Sequence, residues 1–408
     1  MRRYKRRCLL FINVAIVLIP LVNCAPMLSS FDIWDDKNGT EYESFFDNVI
    51  IPIVPFEHLP RVLNFFPVPF EEECLSTDRR RKGVCSNAYE CKFQGGTSHG
   101  KCALGFGVCC IFTTTCNSEV FNNLTYFVNP HFPDLSTGMT SCSTTIKKID
   151  PEIAQYRLDF IHFNLGQPNR STGVCDDDVF ILSGGVSKDL RICGINSGQH
   201  VYYDVENINE TVTITMMLGN KVLSRLWEVR VTQIPFTERA PSGCLQYHLG
   251  TTGIIQTMNF ADNGRHLADQ DYNICMRQEL GMCAIAYEPC HENSFKIGTN
   301  SNNATTTNDD ADVGSGDGTA RMDGSCNDRI TMPCDSEDLL MEGDIAPGFC
   351  NLGFCGSSFC PNGEKTCRIE STVTPFTVGV QFGSTARQES PDENLGMCLK
   401  YEQLACAL

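Results

Sequence analysis

Beyond its first 22 residues the chain has no apolar run approaching the roughly 20 residues that cross a bilayer, so no membrane span is expected. Basic residues are scarce: 32 Lys and Arg face 49 Asp and Glu, a formal charge of −17. That sign opposes phosphate contact and excludes nucleic acid as a partner. The repeated cysteine pairs of a zinc ribbon, with two residues between them, never occur, and His291 beside Cys290 has no second histidine at finger spacing. The nucleophile sequence Gly-Asp-Ser-Gly-Gly is missing; Gly314-Ser315-Gly316-Asp317-Gly318 shares only its composition. A His-Glu-x-x-His motif fails because Phe295 follows where the second histidine is required after His291-Glu292. We therefore expect no catalytic residues, no metal, no cofactor and no enzymatic activity.

What is abundant is cysteine, 24 residues in 408, far above what a reducing compartment tolerates. The N-terminus supplies the matching address. Arg2, Arg3, Lys5, Arg6 and Arg7 precede an apolar stretch from Leu9 to Val22 that is broken by Pro20, and small residues lead to a cut after Cys24. Residues 1–24 thus read as a cleaved signal peptide. The mature chain would start at Ala25 with 27 basic against 49 acidic residues, a charge of −22, and 22 cysteines able to form disulfides. Five N-x-S/T sequons, at Asn38, Asn123, Asn169, Asn209 and Asn303, predict N-linked sugar on a secreted, extracellular glycoprotein.

Residues 25–73 contain no cysteine, the five prolines Pro52, Pro55, Pro60, Pro67 and Pro69 after Pro26, and the apolar patches Val49–Val54 and Val62–Phe70, and read as an extended arm. Six cysteines then crowd 74–110, too short a segment to fold by burying a core, so disulfides must hold it. Six cysteines allow fifteen connectivities, and spacing does not choose among them. The run Arg79-Arg80-Arg81-Lys82 inside this module reads as a solvated loop face. From Cys116 the pattern changes to period two. Val212, Ile214, Met216 and Leu218 alternate with threonines, and Trp227, Val229 and Val231 alternate with polar residues. In Tyr156–Leu165 the alternation slips after Phe160, as a β-bulge would make it. Residues 301–325, rich in Asn, Thr, Asp and Gly, read as a disordered insertion.

Several features gather on one segment: Cys116, the turn Asn129–Pro133, Cys142, the strand Leu158–Phe163, Cys175-Asp176-Asp177-Asp178-Val179 and Ile192-Cys193-Gly194. With them, residues 116–234 resemble a CUB domain, an extracellular β-sandwich module. The resemblance implies disulfides Cys116 with Cys142 and Cys175 with Cys193. Residues 244–406 repeat the plan and are similar to a divergent CUB domain interrupted by the insertion. The six-cysteine order ending in Gly107-Val108-Cys109-Cys110 resembles the clip domains that precede arthropod serine proteases, which implies Cys74 with Cys109, Cys85 with Cys102 and Cys91 with Cys110. The whole is similar to insect CUB-domain proteins. Many CUB domains hold calcium through three carboxylates; only Asp178 matches here, since Gly166 and Leu218-Gly219 occupy the other places, and in the second segment only Asp328 matches. Asp176–Asp178 accordingly read as a solvated acidic turn without metal. The expected fold is mainly β: CUB-like β-sandwich domains preceded by a small disulfide-rich module. The expected function is binding of an extracellular protein or glycan ligand through the CUB modules. The alternative is non-catalytic regulation of an extracellular serine-protease cascade.

Overall fold

The computed structural model describes residues 73–206, 211–220, 224–261, 264–298, 328–334, 350–360, 366–384 and 391–406. The signal segment, the arm up to residue 72, the insertion 301–325 and the sequons at Asn38, Asn209 and Asn303 lie outside these residues.

The first sandwich is built from the strands whose period-two pattern buries one face. One sheet runs Leu190–Ile192, Val179–Ser183, Val212–Met217, Ser141–Ile146 and Ser118–Val120, the last pair parallel. The facing sheet contains Thr125–Val128, Leu226–Pro235, Ile153–Asn164 and His200–Asp204 in that order. Val212, Ile214 and Met216 point into the core while Thr213 and Thr215 do not. The bulge read from the alternation is present: Glu228 pairs with His162 and Val229 with Phe160, so Ile161 is skipped. That extra residue lets Phe160 and Phe163 both enter the core, where their rings lie 4.7 Å apart against Phe180.

The second sandwich repeats this topology strand for strand. Cys244–His248 lies parallel to Gln270–Met276, followed by Thr377–Phe382, Arg329–Cys334 and Cys350–Phe354. Its other sheet runs Thr252–Gln256, Gly396–Ala405, Met282–Pro289 and Ile369–Ser371, with Phe295–Lys296 also against Gly396–Ala405. Disulfides Cys244–Cys275, Cys283–Cys406, Cys290–Cys398 and Cys360–Cys367 tie it. A single continuous apolar core runs from Phe160 and Trp227 of one sandwich to Val378 and Leu399 of the other.

The six-cysteine module is stitched by Cys74–Cys109, Cys85–Cys102 and Cys91–Cys110. It contains one short helix, Ala88–Phe93, whose N-cap Asn87 accepts from the Tyr89 N–H. The module does not stand apart from the first sandwich. Its strand Gly107–Thr114 continues as a parallel neighbour of Thr125–Val128, pairing Phe112 with Thr125 and Thr114 with Phe127, so module and sandwich share one eight-stranded sheet. The basic run corrects one expectation. Arg79 and Arg80 are exposed, but Arg81 reaches back over the sheet, its Nε 2.7 Å from Glu228 Oε1 and its guanidinium 5.0 Å from the Tyr126 ring centroid. Tyr126 in turn bonds the Lys82 backbone through its hydroxyl. Glu228 lies on the outward face of its strand and is buried only because the module covers it, so the charge opposite it is not a solvated one.

Candidate functional site

Asp178 precedes the strand Val179–Ser183, and the sandwich buries it completely, with a side-chain exposure of 0%. This corrects the reading of Asp176–Asp178 as a solvated turn: exposure falls along the bend, from Asp176, which is exposed and accepts from Asn169 Nδ2, through half-buried Asp177 to buried Asp178. Both Asp178 oxygens are saturated. Oδ2 accepts from the Gly166 N–H at 2.7 Å and from Arg225 Nε at 2.7 Å; Oδ1 accepts from the Gly219 N–H at 2.9 Å and from an Arg225 terminal nitrogen at 2.8 Å. The same Arg225 nitrogen donates to the Gly219 carbonyl at 2.8 Å. Burial pushes the Asp178 carboxyl up, but the Arg225 bonds and the two backbone N–H groups outweigh it and hold the carboxyl below its ordinary range. A cation arriving here would meet two N–H dipoles and a guanidinium. A Cβ at Gly219 would lie 1.8 Å from Asp177 Oδ1, so a side chain there would require the Asp177 carboxylate to move.

Asp328 precedes the matching strand of the second sandwich, and its Oδ1 accepts from the Gly383 N–H at 2.6 Å, as Asp178 does from Gly219. The basic neighbour differs. His266 is buried against Phe382, ring centroids 4.1 Å apart, with Nε2 3.1 Å from Asn394 Oδ1 and 3.6 Å from Asp328 Oδ2. Burial, reinforced by the charge of Arg265, pushes this imidazole down to about 3, so it is neutral at physiological pH.

The two sandwiches meet along a polar seam pegged by Asn259, which holds φ +61°, a conformation asparagine tolerates better than most residues. Its N–H donates to Asn196 Oδ1 at 2.7 Å, its Oδ1 accepts from the Ile195 N–H at 2.8 Å, and its Nδ2 donates to Gln167 Oε1 and the Arg265 carbonyl. Gly194 must be glycine, because a Cβ would fall 2.0 Å from Asn259 Oδ1. Between the sandwiches opens a cleft of about 510 Å³, lined by Lys188, Asp189 and Arg191 from the first sandwich and by Asp269, Asp271 and Asn273 from the second. Lys188 and Asp269 already bridge it at 3.0 Å.

Of the remaining residues singled out from sequence, Cys116 is joined to Cys142 and Cys175 to Cys193. Asn169 is exposed, its Oδ1 accepting from the Ser171 and Thr172 N–H groups. Asn123 is half-buried, its Oδ1 taken by the Gln233 and Leu124 N–H groups. Sequence reasoning missed Arg225 and Asn259. The one available signal for the first was a lone arginine immediately before the apolar strand Leu226–Pro235.

Two sandwiches of this strand order, each with a short strand added in parallel at one sheet edge, give a mainly β, CUB-like fold. Residues 241–404, which span most of the second sandwich, match the family model described as "Animal CUB domain". No curated protein matches the chain. Among solved structures it is similar to the CUB1-EGF-CUB2 domain of human MASP-1/3, at 15% identity over 69% of this chain and 100% of that one, with a TM-score of 0.23. It is also similar to the full extracellular region of zebrafish Gpr126/Adgrg6, at 13% identity over 70% of this chain and 36% of that one, with a TM-score of 0.26. Among the described residues no helix is long and apolar enough to cross a membrane.

Proposed function

We propose that this is a secreted extracellular glycoprotein that works by binding rather than catalysis, and that it engages a protein or glycan ligand at the cleft between its two sandwiches. The observation that carries this reading is the cleft itself: a 510 Å³ opening whose walls come from both sandwiches and set charged and amide groups among apolar side chains such as Leu190, Tyr202, Leu245 and Tyr272. Its rim holds exposed Asp189, Arg191 and Asp271, which are available to a partner. The test is capture from extracellular fluid by the immobilised chain beside a variant carrying Asp189→Arg and Asp271→Arg. The reading expects partners that the variant fails to retain; identical capture by both would overturn it. Mass measurement of secreted material before and after glycosidase tests the address, and retention of Met1 with no sugar would contradict it.

A second reading is favoured by the exposure of Tyr89, Phe93 and Leu104 on the six-cysteine module. Apolar side chains presented on a rigid disulfide scaffold suit a docking element, as a non-catalytic regulator of a protease cascade would need. Binding to an active serine protease that Tyr89→Ser/Phe93→Ser abolishes would support it.

A further inference from the structure

The seam holds ionisable groups that the cleft does not use. His200 opens the strand His200–Asp204 of the first sandwich, and His248 closes Cys244–His248 of the second. Their rings face each other across the seam with centroids 4.9 Å apart. His200 Nε2 lies 2.9 Å from the Tyr247 carbonyl oxygen and 3.2 Å from its nitrogen. The His200 ring stands edge-on to Tyr202, and His248 stands edge-on to Tyr401. His248 Nε2 has Gln246 Oε1 at 3.2 Å.

The charged groups around this pair are mostly cationic. From the neighbouring strand Ile153–Asn164 comes Arg157, which donates to the Tyr202 hydroxyl at 3.0 Å. Asp159, opposite His200 in register, is the one close carboxylate, and it is already shared between Arg157 and Arg230 at 2.7 and 2.9 Å. On the far side Arg277 and Glu279 pair with each other. A proton added to either imidazole therefore meets Arg157 and, once both are charged, the other imidazole. Burial, then Arg157, hold His200 down to about 4 despite Asp159; burial, then His200 and Arg157, hold His248 to about 4.

We propose that this seam is a pH-sensitive joint: acidification places positive charge on His200 and His248 together, beside Arg157, and the two sandwiches part. The inference concerns the joint alone and stands whether or not the cleft binds a ligand. The sign follows from the neutral rings docking best. Two imidazoles that bind protons less readily when docked than when apart give a joint at full strength above their ordinary value near 6.5, weakening as pH falls toward 4.

The test is site-resolved hydrogen exchange on the full chain between pH 7.5 and 4.5, corrected for the intrinsic pH dependence of exchange. Protection of the segment Cys244–His248 should drop about tenfold or more at pH 4.5, since each depressed imidazole contributes a sizeable fold-change to the open population. Protection within Leu226–Pro235 should hold, which separates opening of the joint from unfolding. A His200→Gln/His248→Gln variant should lose most of the pH response. Should that variant fold poorly, NMR titration of the two imidazoles in the unaltered chain decides. Protection of Cys244–His248 that is unchanged by acid, or either ring titrating at 6 or above, would overturn the proposal.

Discussion

The two sandwiches share a strand order and place a carboxylate at the same corner, fully buried in the first and half-buried in the second, yet they neutralise it differently. In the first, Asp178 is gripped at both oxygens by Arg225, a charge that no accessible pH removes. In the second, the basic side chain beside Asp328 is His266, which is neutral at physiological pH, and Asn394 rather than an arginine is buried just ahead of the closing strand. Topology thus fixes where the carboxylate sits, while the side chain that faces it differs: an arginine in the first sandwich, and in the second a neutral histidine that has the buried Arg265 beside it. The first corner needs nothing from solution. The second holds an imidazole that resists protonation.

The largest effect that would sharpen this contrast is on Arg225. Arg225→Ala should cost about 3–5 kcal/mol, because it strands a buried carboxylate. Hydrogen exchange should show the loss in Val212–Met217 and leave Thr377–Phe382 protected; equal loss in both would break the comparison. Asp178→Asn/Arg225→Met, which removes both charges, should recover most of it. Next comes the six-cysteine module, where Cys91→Ala/Cys110→Ala should cost about 2–4 kcal/mol confined to 74–110. Graded reduction of the unaltered chain should likewise label the module's cysteines before Cys175 and Cys193, and the reverse order would contradict this. Acid separates the sandwiches further. His266 has a folded value, about 3, below its ordinary 6.5, so its contribution is whole above pH 6.5 and falls by about 3 kcal/mol on reaching pH 4. The Asp178 contribution, set by a lowered carboxyl, is present throughout that window and fades only as pH drops through the lowered value. Calorimetry at pH 7 and 4 should show the second sandwich weakening first. The smallest effect is expected at Trp227, whose buried Nε1 has no hydrogen-bond partner. Trp227→Phe forfeits ring volume but removes an unsatisfied N–H, so urea denaturation should shift by no more than about 1–2 kcal/mol.

Much of the fold is legible in the sequence because burial on one face of a sheet writes itself as alternation. Val212–Leu218 and Trp227–Val231 show it directly, and even the Ile161 bulge leaves a phase slip. The union of module and sandwich is not legible. It depends on a parallel pairing between Gly107–Thr114 and Thr125–Val128 and on Arg81 meeting Glu228 across 147 residues, and neither leaves a local pattern. The Asp178 corner failed for a related reason. Three consecutive aspartates look alike in sequence, and only the bend that precedes Val179 turns the last of them inward toward an arginine 47 residues away. Asn259 was invisible because its partners in the opposite sandwich, the Ile195 N–H and the Asn196 and Gln167 side chains, lie 63 or more residues away and leave no local pattern.

The claim that the first sandwich carries its own cation is tested most directly by calcium titration of the full chain, followed by the unfolding of Val212–Met217 in hydrogen exchange. With Arg225 in place, neither millimolar calcium nor chelator should change its protection. A ligand that bound the native corner would raise stability with concentration, so saturable protection by micromolar calcium that Asp178→Asn abolishes would contradict the account.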